Sequence, residues 1–174
     1  MIYNDIRRKT KKITVGNIAI GGDAPISIQS MTNTDTHDVQ ATIAQIRELA
    51  QRGCDIVRIT VPDLAAANTI AAIKESGIKT PIVADIHFDY KVALRCAEVG
   101  VDKIRINPGN IGDDERVRAV CRACSAANIP IRILYFCLKD NLSLKKKIPT
   151  SVDKIIDPPE YVGNKNVPSI VEIA

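Results

Sequence analysis

The chain alternates short apolar runs with longer segments whose apolar residues recur at helical spacing. The short runs have the length of strands, and the longer segments place residues such as Ile43, Ile46 and Leu49 on one helical face. This order predicts a repeating βα architecture with a parallel sheet and right-handed crossovers. The predicted strands are Ile26–Met31, Ile56–Val61, Pro81–His87, Lys103–Asn107 and Ile129–Ile133, and the predicted helices are Val39–Arg52, Leu64–Ser76, Tyr90–Val99 and Asp113–Asn128.

The ends of the predicted helices carry capping residues. Aspartates precede the first periodic residue and glycines follow the last one, which is typical of helix N-caps and C-terminal stops. Ahead of the first strand, residues 13–22 (ITVGNIAIGG) predict a β-hairpin that covers the bottom of a barrel. The predicted caps are Asp38, Asp63 and Asp89, and the predicted stops are Gly53, Gly77 and Gly100.

Each predicted strand is apolar on one face and polar on the other. Ile104 and Ile106 share one face, whereas Arg105 and Asn107 share the opposite one. A doubly wound sheet is covered by helices on both faces and reads as apolar throughout, so the alternation favours a (βα)8 barrel with polar groups inside its mouth. A solvated antiparallel sheet would alternate in the same way, but the helical segments between the strands disfavour it. The predicted fold is α/β: part of a TIM barrel, with about five βα strands after an N-terminal β-hairpin.

Three arginines lie late in their strands on the predicted inner face: Arg58, Arg105 and Arg132. The chief inward carboxylate is Asp85, and buried guanidinium groups are costly unless they are paired. A bound anion would balance the charge, because guanidinium forks match phosphate oxygens and barrel mouths carry active sites. The alternative is that these arginines pair with acids on neighbouring strands.

His87 follows Asp85 on the same face, between the strands that carry Arg58 and Arg105. At that position it could donate a hydrogen bond to an anion or carry a proton. His37, in the loop after the first strand, is expected to have no comparable neighbours. Residues 107–112 (NPGNIG) form a predicted glycine loop whose amides, with those of the helix near residue 113, could bind an oxyanion.

Composition excludes several classes of function. The chain has 174 residues, a net charge of +4, 3% aromatic residues and no Trp, which argues against a nucleic-acid-binding protein. No apolar run reaches the length of a membrane span and the start is polar, so we expect a cytoplasmic protein without membrane contact. Five cysteines, an odd number, predict reduced thiols, and Cys121 and Cys124 read as helix packing rather than as a metal or redox site.

Four stretches resemble a known family. SIQSMTNTDT, GCDIVRITVPD, IVADIHFDYKVAL and VDKIRINPGNIG, in order between about residues 9 and 133, are similar to the amino-terminal half of bacterial 4-hydroxy-3-methylbut-2-en-1-yl diphosphate synthases. The resemblance implies a (βα)8 barrel that binds 2-C-methyl-D-erythritol 2,4-cyclodiphosphate and an oxidoreductase that opens its ring in the methylerythritol phosphate route to isoprenoids. It also implies a carboxy-terminal domain with a [4Fe-4S] cluster, electrons from flavodoxin or ferredoxin, and a homodimer.

The resemblance also implies which residues contact the substrate. The diphosphate contacts are implied at Arg58, His87, Arg105, Asn107 and Arg132. Secondary members of the pocket are Asp85, Gln29 and Ser30. No residue is assigned a catalytic role, and none is assigned as a ligand of the cluster or of another metal.

The resemblance ends after Ile133, where composition changes. We therefore predict that residues 1–133 form the N-terminal part of a TIM barrel, that residues 134–174 form a divergent tail, and that the iron-sulfur domain is absent. The expected molecule is a truncated, inactive fragment that binds diphosphate weakly. Two alternatives stay open: a small phosphate-binding barrel transferase resembling pteroate synthase, and a non-catalytic remnant that binds a complementary chain.

Overall fold

The computed structural model describes residues 10–135 and 169–173. The strands are β1 (Ile13–Val15), β2 (Ile18–Ile20), β3 (Gln29–Met31), β4 (Ile56–Thr60), β5 (Ile82–Ile86), β6 (Lys103–Ile106), β7 (Ile131–Tyr135) and β8 (Ser169–Ile173). The helices are α1 (Val39–Gln51), α2 (Leu64–Glu75), α3 (Tyr90–Glu98), α4 (Pro108–Ile111) and α5 (Asp114–Ala126). Within this part of the chain, no helix is long and apolar enough to cross a membrane.

The main sheet follows the order of the chain. Strands β3 to β7 lie side by side as parallel neighbours, and β8 pairs antiparallel with β7 at one edge. A doubly wound sheet reverses its strand order at a switch point, whereas a barrel adds each strand beside the last one. The arrangement confirms the predicted α/β fold with five parallel strands, and the uninterrupted order favours the partial barrel.

The helix ends confirm the predicted caps. Asp38 and Asp63 accept hydrogen bonds from backbone amides three residues ahead, both at 2.9 Å, and Asp89 caps α3 by accepting one from the Lys91 amide, two residues ahead, at 2.8 Å. Gly53 follows α1 with φ of +88°, a left-handed conformation that costs glycine little. The glycines after α2 and α3 also have positive φ, so the chain turns back towards the sheet after each of these helices.

The core lies between the helices and the apolar face of the sheet. Ile59, Ile82 and Ile104 on the strands and Ile46 and Ile70 on the helices are all fully buried. These strand residues have the parity predicted for the outer, helix-facing side. The alternate positions therefore face the inside of the partial barrel.

The N-terminal hairpin packs on that inner face. Ile13 and Val15 of β1 form a second apolar cluster with Ile56 and Val83, which lie near the amino-terminal ends of β4 and β5. The hairpin thus covers the bottom of the inner face, as predicted from its sequence. Polar groups are left at the opposite, carboxyl-terminal ends of the strands.

Two predicted boundaries were wrong. The first strand covers only Gln29–Met31, because the peptide N–H of Ile28 donates to the Asp55 carboxylate at 2.7 Å instead of joining the ladder. Ile26 and Ile28 are 77% and 61% exposed rather than packed on a helix, since β3 is an edge strand and no described helix lies beyond it. The predicted loop at 107–112 also contains the short helix α4.

Candidate functional site

A row of polar residues crosses the sheet near the carboxyl-terminal ends of the strands. In the parallel register Thr60 lies opposite Asp85, Asp85 opposite Arg105, and Arg105 opposite Arg132. Residues paired in this way share a height and a face. The register therefore brings Asp85 and two of the three predicted arginines together on the inner face.

Asp85 is the centre of this row. Its side chain is 4% exposed and accepts a hydrogen bond of 2.6 Å from Nη1 of Arg105. Nε of Arg58 lies 3.5 Å from the other carboxylate oxygen, and Nε2 of His87 lies 3.7 Å from the first. One buried carboxylate is thus shared by two guanidinium groups and an imidazole.

Arg58 also contacts Met31 on the neighbouring strand. Its Nε and Nη2 lie 3.3 Å and 3.2 Å from the sulfur of Met31, which is a weak acceptor. Arg58 therefore keeps donor capacity for a stronger acceptor such as a phosphate oxygen. The sequence analysis assigned Met31 no role. Its position opposite Arg58 in the register of β3 and β4 is the signal that could have predicted this contact.

His87 and Asn107 lie just beyond the strands that precede them. The His87 side chain is 42% exposed, and its ring lies 5.9 Å from that of Phe88, which is 74% exposed. The side-chain oxygen of Asn107 accepts a hydrogen bond from the Gly109 amide and caps α4. The amide nitrogen of Asn107 is therefore the part of this side chain that can donate to a ligand.

The other predicted residues lie apart from this cluster or beside it. Gln29 pairs with Ile56, near the bottom of the inner face, and Ser30 pairs with Val57 on the helix-facing side. The structure does not bring either one to Asp85, and their place in the pocket stays a prediction. Arg132 lies opposite Arg105 in the strand register, which places it beside the cluster. On its other side it lies opposite Glu172 of β8.

The helix start near residue 113 is unsuited to an oxyanion. Asp113 caps α5 by accepting a hydrogen bond from the Arg116 amide, at 3.0 Å. Asp114 and Glu115 add two more acidic side chains in the first turn. Negative charge at this helix start repels an anion, so the arginine row is the candidate anion site.

Comparison with known proteins gives the family. The model of the GcpE TIM-barrel domain matches residues 10–172. The chain belongs to the GcpE TIM-barrel domain family. This membership confirms the resemblance and the partial barrel, and it favours the synthase over a transferase resembling pteroate synthase.

Curated relatives agree with the family. The chain is 63% identical over 127 residues to a protein of Azotobacter vinelandii, covering 73% of this chain and 34% of the relative. It is 62% identical over 128 residues to a protein of Pseudomonas aeruginosa, covering 74% of this chain and 34% of the relative. It is 61% identical over 127 residues to a protein of Pseudomonas putida, covering 73% of this chain and 34% of the relative. Each is named 4-hydroxy-3-methylbut-2-en-1-yl diphosphate synthase (flavodoxin). The chain spans about a third of the length of these relatives.

The predicted division after residue 133 stays a prediction. The family match extends to residue 172, whereas the relatives match 127 or 128 residues. Most of the predicted tail, residues 136–168 and 174, lies outside the described residues, as does Cys137.

The described cysteines of this GcpE domain do not fit an iron-sulfur cluster. Burial raises the pKa of the Cys96 and Cys124 thiols to about 12, although such clusters are held by thiolates. Cys121 lies one helical turn before Cys124 on α5, and burial raises its pKa as well. Among residues 10–135 and 169–173, no group of three or more His, Cys, Asp or Glu side chains is arranged to hold a metal ion.

His37 corrects a sequence-based expectation. It was expected to have no functional neighbours, but its Nδ1 lies 2.7 Å from the Asp35 carboxylate and its Nε2 lies 3.0 Å from that of Asp63. Asp35 is close in sequence and could have been noticed. Asp63 is 26 residues away, and only the folded arrangement of the two βα loops brings it to the ring.

Proposed function

We propose that this chain forms the substrate-binding barrel half of a 4-hydroxy-3-methylbut-2-en-1-yl diphosphate synthase, and that the arginine row binds 2-C-methyl-D-erythritol 2,4-cyclodiphosphate. The whole enzyme would open this ring reductively to give 4-hydroxy-3-methylbut-2-enyl diphosphate. The observation that carries the proposal is the sharing of one buried carboxylate, Asp85, by Arg58 and Arg105 at the mouth. The names of the relatives supply the substrate class.

The charge of the cluster favours an anionic ligand. Arg58 and Arg105 carry two positive charges against the single negative charge of Asp85, and Arg132 lies next in the row. Each guanidinium has five N–H donors, so Arg105 can keep its bond to Asp85 and still donate to phosphate. A hydrogen bond to a charged group contributes about 1.5–3 kcal/mol, so two or three of them give useful affinity.

Asp85 has a positioning role in this proposal. Its 2.6 Å contact holds the Arg105 guanidinium at the mouth before a ligand arrives. A preorganised donor loses less conformational entropy on binding than a mobile one. His87, at the rim, adds a ring N–H donor to the phosphate, and the Asn107 amide nitrogen adds another.

Electron supply forms the second part of the proposal and involves groups other than the described residues. We assign it to a [4Fe-4S] cluster outside the described barrel half and to flavodoxin, which the relatives' names favour over ferredoxin. A homodimer, a cytoplasmic location and a place in the methylerythritol phosphate route complete this part. We assign no redox step to the residues described here.

Calorimetric titration of the 174-residue chain with the cyclic diphosphate tests the proposal. We expect Arg105→Ala to weaken binding at least about tenfold, since loss of one charged hydrogen bond costs 1.4 kcal/mol or more. Arg122→Ala is the matched control, because Arg122 is 66% exposed on α5 and pairs with Glu115. Equal affinities for the parent and both variants would refute the assignment of the site.

A further inference from the structure

The loop between β3 and α1, residues 32–38, lies against the end of β4. The Thr32 amide donates to the carbonyl of Arg58 at 3.0 Å, and the Thr36 hydroxyl donates to the carbonyl of Thr60 at 2.7 Å. Thr60 is the residue opposite Asp85 in the mouth row. The loop also continues directly from Met31, whose sulfur contacts the Arg58 guanidinium. This loop is therefore a side wall of the candidate anion site.

His37 ties this wall to the next βα loop. Its Nδ1 contacts Asp35 of its own loop at 2.7 Å, and its peptide N–H donates to the same carboxylate at 3.0 Å. Its Nε2 lies 3.0 Å and 3.2 Å from the two oxygens of Asp63, which also caps α2 through the Ala66 amide. The ring thus bridges two carboxylates on separate elements.

The chemistry of the partners determines the charge of the ring. Carboxylates at neutral pH only accept hydrogen bonds, so both ring nitrogens must carry a proton to satisfy both contacts. A neutral ring would turn a lone pair towards one carboxylate. The two nitrogens lie on opposite edges of the ring, so Asp35 and Asp63 do not converge on one point as the ligands of a metal ion would.

We propose that His37 is a positioning residue whose doubly protonated ring clasps the 32–38 loop to the start of α2 and so fixes the Arg58 side of the anion site. The inference rests on the proposed diphosphate binding. Within the described part of the chain, the charged groups in contact with the ring are Asp35 in the loop and Asp63 at the start of α2. Asp38, next in sequence, is engaged by the Ala41 amide at the start of α1. Both Asp35 and Asp63 favour the charged ring.

The pH window of the clasp follows from these contacts. Hydrogen bonds to Asp35 and then Asp63 raise the pKa of His37. The backbone N–H and then the ring of His37 lower the pKa of Asp35, and the Ala66 amide and then the His37 ring lower the pKa of Asp63. The contribution of His37 is complete below its ordinary pKa and is lost as the pH rises through the raised one. The contribution of the carboxylates is present above their ordinary pKa values and is lost as the pH falls through the lowered ones. The clasp therefore persists to a higher pH than a histidine with an ordinary pKa would allow, and it opens as the pH rises through the raised pKa.

Proton NMR can follow the ring directly, because the chain contains only two histidines. His87→Gln assigns the signals, and the remaining ring should titrate above the ordinary value of about 6.5. Asp63→Asn should lower the pKa of His37, since asparagine keeps the helix cap but removes one negative charge. Asp23→Asn, at an exposed pair with Lys12, is the matched control and should leave it unchanged. An ordinary pKa for His37, or one insensitive to Asp63→Asn, would overturn the clasp.

Binding at several pH values tests the positioning role. Each phosphate of the cyclic diphosphate carries one ester and one anhydride linkage and keeps a single, strongly acidic oxygen, so the ligand does not titrate between about pH 6 and 9, where histidine does. We expect the parent to lose about fivefold in affinity as His37 deprotonates, at the lower end of coupling between sites. His37→Gln should bind weakly throughout and lack this step, whereas every other titratable group is the same in both proteins.

The outcomes separate the inference from the proposed function. Parallel pH profiles for the parent and His37→Gln overturn the positioning role while diphosphate binding stands. A parent that binds no cyclic diphosphate at any pH overturns the proposed function, and the positioning role with it. Circular dichroism of each variant verifies that a change in affinity reflects the site rather than unfolding.

Discussion

Replacing Asp85 with asparagine removes the charge at the centre of the mouth row. The Arg105 guanidinium, whose side chain is 13% exposed, would then face a neutral amide at the position now occupied by a carboxylate oxygen 2.6 Å away. Removing one partner of a buried pair costs about 3–5 kcal/mol. The asparagine oxygen still accepts a hydrogen bond and Arg58 is 29% exposed, so we expect a smaller loss of about 2–3 kcal/mol.

The assay is thermal unfolding with and without the cyclic diphosphate at constant ionic strength. For a chain of this size, a loss of about 2–3 kcal/mol corresponds to a fall in Tm of about 4–12 °C. The ligand should raise the Tm of Asp85→Asn by less than that of the parent, because Arg105 is no longer held at the mouth before the ligand arrives.

Asp23→Asn is the control for this prediction. Asp23 is 86% exposed and pairs with Lys12, so its replacement should leave the Tm almost unchanged. A loss below about 1 kcal/mol for Asp85→Asn would show that the row is not held by its carboxylate. Equal stabilisation of the variant and the parent by the ligand would refute the positioning role of Asp85.

Other predictions concern the hairpin turn, the buried thiols and the core. In Gly53→Ala the added Cβ has no atom within 4 Å, so the change should cost only the strain of a positive φ, about 1–2 kcal/mol. In Gly16→Ala the backbone has the same strain, and the added Cβ would also lie 2.8 Å from a proline ring. Thermal unfolding should therefore show the larger loss for Gly16→Ala, and equal losses would contradict the packed hairpin. Cys96 and Cys124 have thiol pKa values raised to about 12, so alkylation at pH 8 followed by mass spectrometry should label them only after unfolding. Ile104→Ala, at a fully buried position, should lower the free energy of unfolding by about 2–5 kcal/mol in a urea titration.

The alternation of the strands made the sheet predictable. In β6 the pattern of Ile104 and Ile106 against Arg105 placed the isoleucines on the helices and the arginine inside, because side-chain direction alternates along any strand. Aspartate caps and glycine stops are equally local signals, since they act within a few residues of a helix end. The arginine row could be predicted from the sequence for the same reason, because the register of neighbouring strands follows once they are known to be parallel.

Contacts between distant loops were not predictable from the sequence. The pairing of His37 with Asp63 depends on how the loops after β3 and β4 lie together, and no local pattern encodes it. The exposure of Ile28 depends on its position just before an edge strand, a property of the sheet rather than of the residue. The position of Gln29 along the barrel axis, near the hairpin rather than the mouth, likewise follows only from the strand register.

The most direct measurement of the central claim is an NMR footprint of the cyclic diphosphate on the arginine side chains. We predict that the guanidinium signals of Arg58, Arg105 and Arg132, assigned by single substitutions, shift on addition of the ligand. The signal of Arg122, which lies on the outer helix α5, should not move. Shifts confined to Arg122 and other helix arginines, with the three strand arginines unchanged, would contradict a diphosphate site at the mouth of this partial barrel.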